Sequence, residues 1–122
     1  MSKRTSRYEN IFKDFLDNNK ISYVYQYSLN QCRDVLPLPF DFYISDYDIL
    51  VEIDGEGHYK PCHFNNISKA DAIKTFKLTK KHDNIKNDFC KKNKTFRQVR
   101  SHIFLRRIIL YISSYIKFSK RS

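Results

Sequence analysis

The sequence predicts a single α/β domain built around a small mixed sheet with helices on its faces. Its 122 residues are the length of one domain, so we treat 1–122 as a single unit. Hydrophobic residues make up 41% of the chain, and ten Phe with nine Tyr supply bulky side chains for a core. The spacing of apolar residues changes between the helix and strand periods in the order helix, three strands, helix, strand, helix.

The first helix and three strands are predicted in the amino-terminal half. Apolar residues recur at helical spacing over Ser6–Asn18, and Ser6 with Glu9 fits a capping box. A polar connection is expected over Asn30–Pro37. The strands follow from β-branched, aromatic or alternating residues: Ile21–Ser28, Pro39–Ser45 and Ile49–Asp54. Apolar residues point to both faces of the third strand, which predicts a central strand covered on both sides.

The carboxyl-terminal half predicts a long helix, a short strand and a final helix. We expect irregular chain over His58–Ile67, followed by a helix from Ser68 to Asn93. Polar residues at Thr79–His82 suggest that this helix breaks in two. A short strand over Thr95–Arg100 and a helix from Ser101 to about Lys117 complete the domain.

The charge of the chain favours a polyanionic partner. Twenty-three Lys and Arg against 13 Asp and Glu give a net charge of +10, which suits DNA, RNA or an anionic surface. A membrane span is not expected, because the longest apolar run, Ile103–Ile116, is short and interrupted by Arg106 and Arg107. Met1 is not followed by an apolar signal segment, so an intracellular, non-secreted protein is expected.

A cluster of acids stands out in this basic chain. Asp41 lies on the second strand, while Glu52 and Asp54 lie on one face of the third, beside Gly55, Gly57 and His58. Carboxylates this close repel each other unless a cation lies between them or one stays protonated. Mg²⁺ or Mn²⁺ prefers such oxygen ligands, so we predict a metal site. The alternative is that these acids cover a solvent-exposed face.

Three segments, taken together, carry a resemblance to a known family. Their sequences are PFDFYI at 39–44, VEIDGEGHY at 51–59 and HDNIKNDFCKKN at 82–93. In this order they resemble the motifs of small PD-(D/E)XK nucleases of phages and large DNA viruses, which are related to very short patch repair endonucleases and EDxHD homing endonucleases. The likeness covers roughly Ser6 to Asn93 and implies a restriction-endonuclease-like α-β-β-β-α-β core.

The resemblance also implies roles for individual residues. Asp41 matches the metal-binding aspartate and Glu52 the acidic residue of the (D/E)XK half, whose lysine would fall at Asp54. His58 resembles a general base or phosphate contact. Further residues implied for catalysis are Glu9, a ligand or orienting acid, Lys86, a phosphate-stabilising cation, and Asp83, which orients His58 or Lys86.

Three departures from the family pattern concern contacts to the substrate and the end of the fold. Gly57 stands where the family has Gln, and His82 stands where it has Arg. After Asn93 the usual hydrophobic strand is replaced by KTFRQVR. A catalytically decayed copy of the fold is therefore an alternative.

The resemblance and the charge together give a functional hypothesis. We expect a Mg²⁺- or Mn²⁺-dependent endonuclease that cleaves DNA, as monomer or homodimer, in cytoplasm or nucleus, including those of a virus-infected host. The alternatives are a decayed nucleic-acid-binding module and a nuclease of the same fold that acts on RNA or on branched DNA. Basic residues of the long helix are expected to contact phosphates, although a solvated helix face is the other interpretation: Lys69, Lys74, Lys77, Lys81, His82 and Lys86.

Overall fold

The described part of the protein is a mixed α/β structure with a four-stranded sheet and three helices. A computed structural model describes residues 7–54, 68–101 and 105–120. In chain order the elements are α1 (Arg7–Asn18), β1 (Val24–Arg33), β2 (Pro37–Ile44), β3 (Ile49–Ile53), α2 (Lys69–Lys92), β4 (Arg97–Ser101) and α3 (Leu105–Lys120). The predicted order of helices and strands is therefore confirmed. A single 3₁₀ turn, Ser45–Tyr47, connects β2 to β3.

The sheet has the order β1-β2-β3-β4, with β1, β2 and β3 antiparallel and β4 parallel to β3. All five residues of β3 are buried, as the apolar pattern on both of its faces predicts. Its neighbour β4 has few apolar residues but still pairs along its whole length with β3, with Glu52 opposite Arg100. This pairing brings an arginine beside the acidic end of the central strand.

Two cores lie on the two faces of the sheet. One is built by α1 and α3 against β2 and β3, and its buried members are Phe12, Leu16, Phe42, Ile44, Ile49, Val51, Ile53, Ile108 and Ile112. The other lies under α2 and contains Cys32, Phe40, Leu50 and Cys90. Since side chains alternate along a strand, Glu52 shares the face of Leu50 and points toward α2.

Two predictions about boundaries are wrong. The segment Asn30–Pro37 is not a polar connection, because β1 runs to Arg33 and β2 starts at Pro37. The helix does not break at Thr79–His82 but continues through all 24 residues of α2. Lys and His are compatible with a helix interior, and this segment holds neither Gly nor Pro to end it.

The β1–β2 hairpin extends beyond the rest of the sheet. The ladder between β2 and β3 starts at Phe42 and Val51, so the described residues of β2 before Phe42 pair with β1. We call the segment Ser28–Pro39 the hairpin arm. The register of its two strands shifts between Ser28 and Arg33. Among the described helices, none is long and apolar enough to cross a membrane.

Candidate metal and phosphate site

Asp41 lies where strands β2 and β3 separate. The last residue pair of the β2–β3 ladder is Phe42 with Val51. Beyond it, the backbone N–H of Ile53 donates to the side-chain Oδ2 of Asp41 at 2.7 Å, and not to a backbone carbonyl of β2. Asp41 is 6% exposed, so its carboxylate satisfies a buried N–H that would otherwise have no partner in the ladder. The side chain is thereby fixed beside the end of β3.

Glu52 is deeply buried on the α2 face of β3. It is 2% exposed, and its Oε1 accepts a hydrogen bond from Lys86 Nζ at 2.5 Å. Burial, with a further contribution from the charge of Asp41, raises the pKa of Glu52 to about 8. The nearby cations Lys86 and Arg100 oppose this shift without cancelling it. Glu52 therefore holds its proton more tightly than an ordinary glutamate does.

Helix α2 presents polar side chains to this cluster at helical spacing. Asp83, Lys86 and Cys90 are buried and follow each other at intervals of three and four residues. They lie on one face of α2, as predicted for Asp83 and Lys86. The ammonium group of Lys86 also lies 5.4 Å from the centroid of the Phe40 ring, close enough for a cation–π contact.

Arg100 is a residue of the site that the sequence did not single out. Its Nη1 donates to Asp54 Oδ1 at 2.8 Å and to Asp83 Oδ1 at 3.1 Å, and its Nη2 donates to Asn87 Oδ1 at 3.4 Å. Burial lowers the pKa of Arg100, but the charges of Asp54, Glu52 and Asp83 outweigh burial and raise it. The sequence feature that could have indicated Arg100 is its position at the end of the predicted strand Thr95–Arg100. That strand pairs with β3, which carries Glu52.

Glu9 approaches the cluster from the opposite layer. It is buried in the first turn of α1, and Tyr25 Oη donates to Glu9 Oε2 at 2.8 Å. Burial raises the pKa of Tyr25, as do the bond to Glu9 and the charges of Glu9 and Asp41. Tyr25 therefore lies within the field of both acids, and it links Glu9 to the region of Asp41.

Lys86, which was predicted to contact nucleic acid, lies inside the acid cluster and not among the exposed lysines of α2, because it is 8% exposed and paired with Glu52. Asp83 accepts a hydrogen bond from Arg100, whose guanidinium lies between Asp83 and Asp54. The predicted base His58 lies outside the described residues.

Asp54 has a cation as its described partner. Its 2% exposed carboxylate receives the Arg100 guanidinium at the end of β3. Asp41 and Glu52 are the remaining predicted metal ligands. Within residues 7–54, 68–101 and 105–120, no three His, Cys, Asp or Glu side chains form a group that could hold a metal ion. Two buried carboxylates do fit part of a Mg²⁺ or Mn²⁺ site, because both ions prefer oxygen ligands.

The predicted phosphate-contacting lysines lie on the outer side of α2. Lys69, Lys74, Lys77 and Lys81 are exposed, whereas the buried residues of α2 lie on the side facing the sheet. We call the segment Lys69–Lys81 with its exposed lysines the lysine face. His82 is half-buried, and its Nε2 lies 3.0 Å from Asp34 Oδ2. Lys81 Nζ lies 3.1 Å from Asp34 Oδ1, so α2 binds the turn of the hairpin arm at two consecutive residues.

Comparison with known proteins adds no family assignment. No protein-family model matches the chain, and no curated protein is significantly similar to it.

Proposed function

We propose that this protein is a metal-dependent endonuclease that hydrolyses phosphodiester bonds in DNA. The observation that carries the proposal is the joint burial of Asp41 and Glu52 at the open end of the β2–β3 ladder. Burial raises the pKa of Glu52, and the charge of Asp41 contributes to the same shift. The order of elements agrees with a restriction-endonuclease-like α-β-β-β-α-β core. The net charge of +10 agrees with a nucleic acid as substrate.

Asp41 and Glu52 are the residues that would hold Mg²⁺ or Mn²⁺. When bound, such an ion supplies a Lewis acid for the phosphoryl oxygen and a bound water of lowered pKa. Glu52 must give up its proton to become a ligand, and its raised pKa means that metal binding competes with protonation. Asp41 keeps its place through its bond from the Ile53 N–H, so one carboxylate is already positioned before any ligand binds.

The cations around the acids have separate tasks in this proposal. Lys86 holds Glu52 in place and keeps a positive charge where a phosphate oxygen would gain negative charge. Arg100 neutralises Asp54 and Asp83, which limits the repulsion that these acids would exert on an incoming phosphate. Asp83 in turn holds the guanidinium in position. His58 remains a prediction as general base.

The test is cleavage of supercoiled plasmid with Mg²⁺, with Mn²⁺ and with EDTA. Asp41→Asn and Glu52→Gln remove one charge each at nearly constant shape, and the asparagine keeps an oxygen for the Ile53 N–H. We expect each to lower the rate about hundredfold or more, because transition-state charge loses its partner. The matched control is Asp46→Asn in the exposed turn before β3, which should cleave like the wild type.

The same assay separates the alternatives. Equal cleavage by wild type, Asp41→Asn and Glu52→Gln would contradict the proposal. Retention of duplex DNA with a steep salt dependence, but without cleavage with any divalent cation, would indicate a binding module instead. Competition by RNA or branched DNA for plasmid cleavage would identify a different nucleic-acid substrate.

A further inference from the structure

The turn of the hairpin arm exposes two consecutive aliphatic side chains. Val35 is 82% exposed and Leu36 is 71% exposed, the highest values among the large hydrophobic residues that the structure describes. Both stand between Asp34 and the start of β2, at the end of the arm farthest from the sheet. Single exposed aliphatics are ordinary on protein surfaces, but an adjacent pair at a protruding turn favours a contact with a partner.

Several bonds hold this turn in one conformation. Arg33 donates from Nη1 to Asn30 Oδ1 at 3.0 Å and from Nη2 to the Val35 carbonyl at 3.1 Å. The Asp34 N–H donates to the Leu36 carbonyl at 3.1 Å. A turn held in this way loses little conformational entropy on binding, so the exposed side chains are preorganised for contact.

The surroundings of the turn are basic. Asp34, the acid of the turn, is paired with Lys81 and His82 and therefore does not leave an uncompensated negative charge there. Bonds from His82 and Lys81 lower the pKa of Asp34, so its carboxylate is ionised at neutral pH and its pair with Lys81 persists. The lysine face continues from Lys81 toward the start of α2 through exposed Lys77 and Lys74. This charge is complementary to the phosphate backbone and opposes a basic protein partner.

The dimensions of the arm match a groove of duplex DNA. A two-stranded β-ribbon fits the major groove, which is about 8.5 Å deep. Leu36 precedes Asp41 by five residues, so an extended strand separates turn and acid cluster by up to about 17 Å. One face of the arm packs under α2 through Cys32, which is 1% exposed, so the turn and the outer face are the parts that can enter the groove. The acids would then stay at the backbone about five base pairs away, at 3.4 Å per pair.

We propose that the hairpin arm enters the major groove of the DNA substrate and that Val35 and Leu36 contact thymine methyl groups there. The lysine face of α2 then contacts the phosphates that flank the groove. An aliphatic side chain makes no hydrogen bond to a base edge, and the C5 methyl of thymine is the apolar group that the major groove offers. The inference rests on the proposed function only in taking duplex DNA as the substrate.

Thymine and uracil differ only in that methyl group, which gives a direct test. Binding of the full chain is measured by fluorescence anisotropy in EDTA, on a random-sequence duplex pool made with thymine and on the same pool made with uracil. We expect the wild type to prefer thymine by about fourfold for each methyl group contacted. Val35→Ser/Leu36→Ser should bind both pools equally, whereas the control Leu110→Ser, at an exposed leucine on α3, should keep the preference.

Further measurements make each outcome decisive. Val35→Asn/Leu36→Asn, with melting temperatures for all variants, repeats the test with a second pair of side chains that carry no methyl group. Equal binding of both pools by the wild type, or a preference that survives in both double variants, would overturn the inference. If wild-type protein cleaves plasmid with Mg²⁺ but binds the thymine and uracil pools equally, the inference fails and the proposed function stands. If it binds no duplex at all, both fail. A change of sedimentation in the double variants without loss of the thymine preference would assign the turn to a protein contact and also overturn it.

Discussion

Lys86 Nζ donates to Glu52 Oε1 at 2.5 Å across the interface between α2 and the central strand. Their side chains are 10% and 3% exposed, so water contributes little to the solvation of either charge. A buried ion pair of this kind costs desolvation energy, and an equally large pair of apolar side chains would not. The pair is therefore weak evidence for stability, and stronger evidence that charge is needed at this place for binding or catalysis.

The first prediction concerns the stability of that pair. Lys86→Met leaves Glu52 buried without its cation, so we expect the free energy of unfolding to fall by about 3 kcal/mol at pH 8. The loss should be smaller at pH 5, where Glu52 is protonated. The double variant Glu52→Leu/Lys86→Met should recover most of the stability, because neither charge remains. The measurement is urea unfolding in EDTA.

Lys77→Met is the matched control for this series. Lys77 is exposed on the same helix, so its replacement should change stability by less than about 0.5 kcal/mol. Equal losses for Lys77→Met and Lys86→Met would contradict the buried pair.

The second prediction is the pH dependence of stability without metal. The pKa of Glu52 is about 8 in the folded protein against 4.5 for an ordinary glutamate, so the folded state binds the proton more tightly than the unfolded state. The contribution of Glu52 to the free energy of unfolding is therefore largest below about pH 4.5. This contribution is lost as the pH rises toward 8. Glu52→Gln removes this contribution. Parallel pH profiles for wild type and Glu52→Gln in chemical denaturation would show that Glu52 titrates normally.

The third prediction concerns Arg100. Arg100→Gln leaves Asp54 and Asp83 without the guanidinium that lies between them, so we expect a loss of about 3 kcal/mol in unfolding free energy. Arg100→Lys should recover only part, because an ammonium group is not a planar fork that can reach both acids. Arg97→Gln, on the same strand, is the control.

Arg97 is exposed and lies 5.1 Å from the Tyr115 ring centroid, so its loss should cost at most about 1 kcal/mol. Comparable losses for Arg97→Gln and Arg100→Gln would mean that the two acidic contacts contribute little.

The sequence predicted the order of elements and the central strand, because apolar periodicity reports burial directly. It missed the end of β1, because Asn30, Gln31 and Arg33 are polar residues on an arm that leaves the sheet. It placed Lys86 both in the catalytic site and among the phosphate-contacting residues of α2. A lysine in a lysine-rich helix carries no mark of which side it faces until the position of the helix on the sheet is known.

Arg100 is a residue of the site that the sequence alone could not have placed beside its partners. Its contacts to Asp54 and Asp83 join residues 46 and 17 positions apart in the chain. Motif spacing along one segment cannot reveal a partner that arrives from another strand. The acids themselves were predictable, because a carboxylate cluster in a chain of net charge +10 is unusual enough to be noticed.

The last prediction separates the lysine face from the overall charge of the protein. Lys74→Gln/Lys77→Gln should weaken duplex binding and reduce the slope of log affinity against log salt by about 2, since each phosphate contact contributes close to one unit. Lys13→Gln/Lys20→Gln removes the same charge from exposed positions at α1 and is the control. If net charge alone drives binding, the two double variants will have equal slopes. If α2 contacts the backbone, only the first pair will change the slope, because screened charges away from the interface release no counterions.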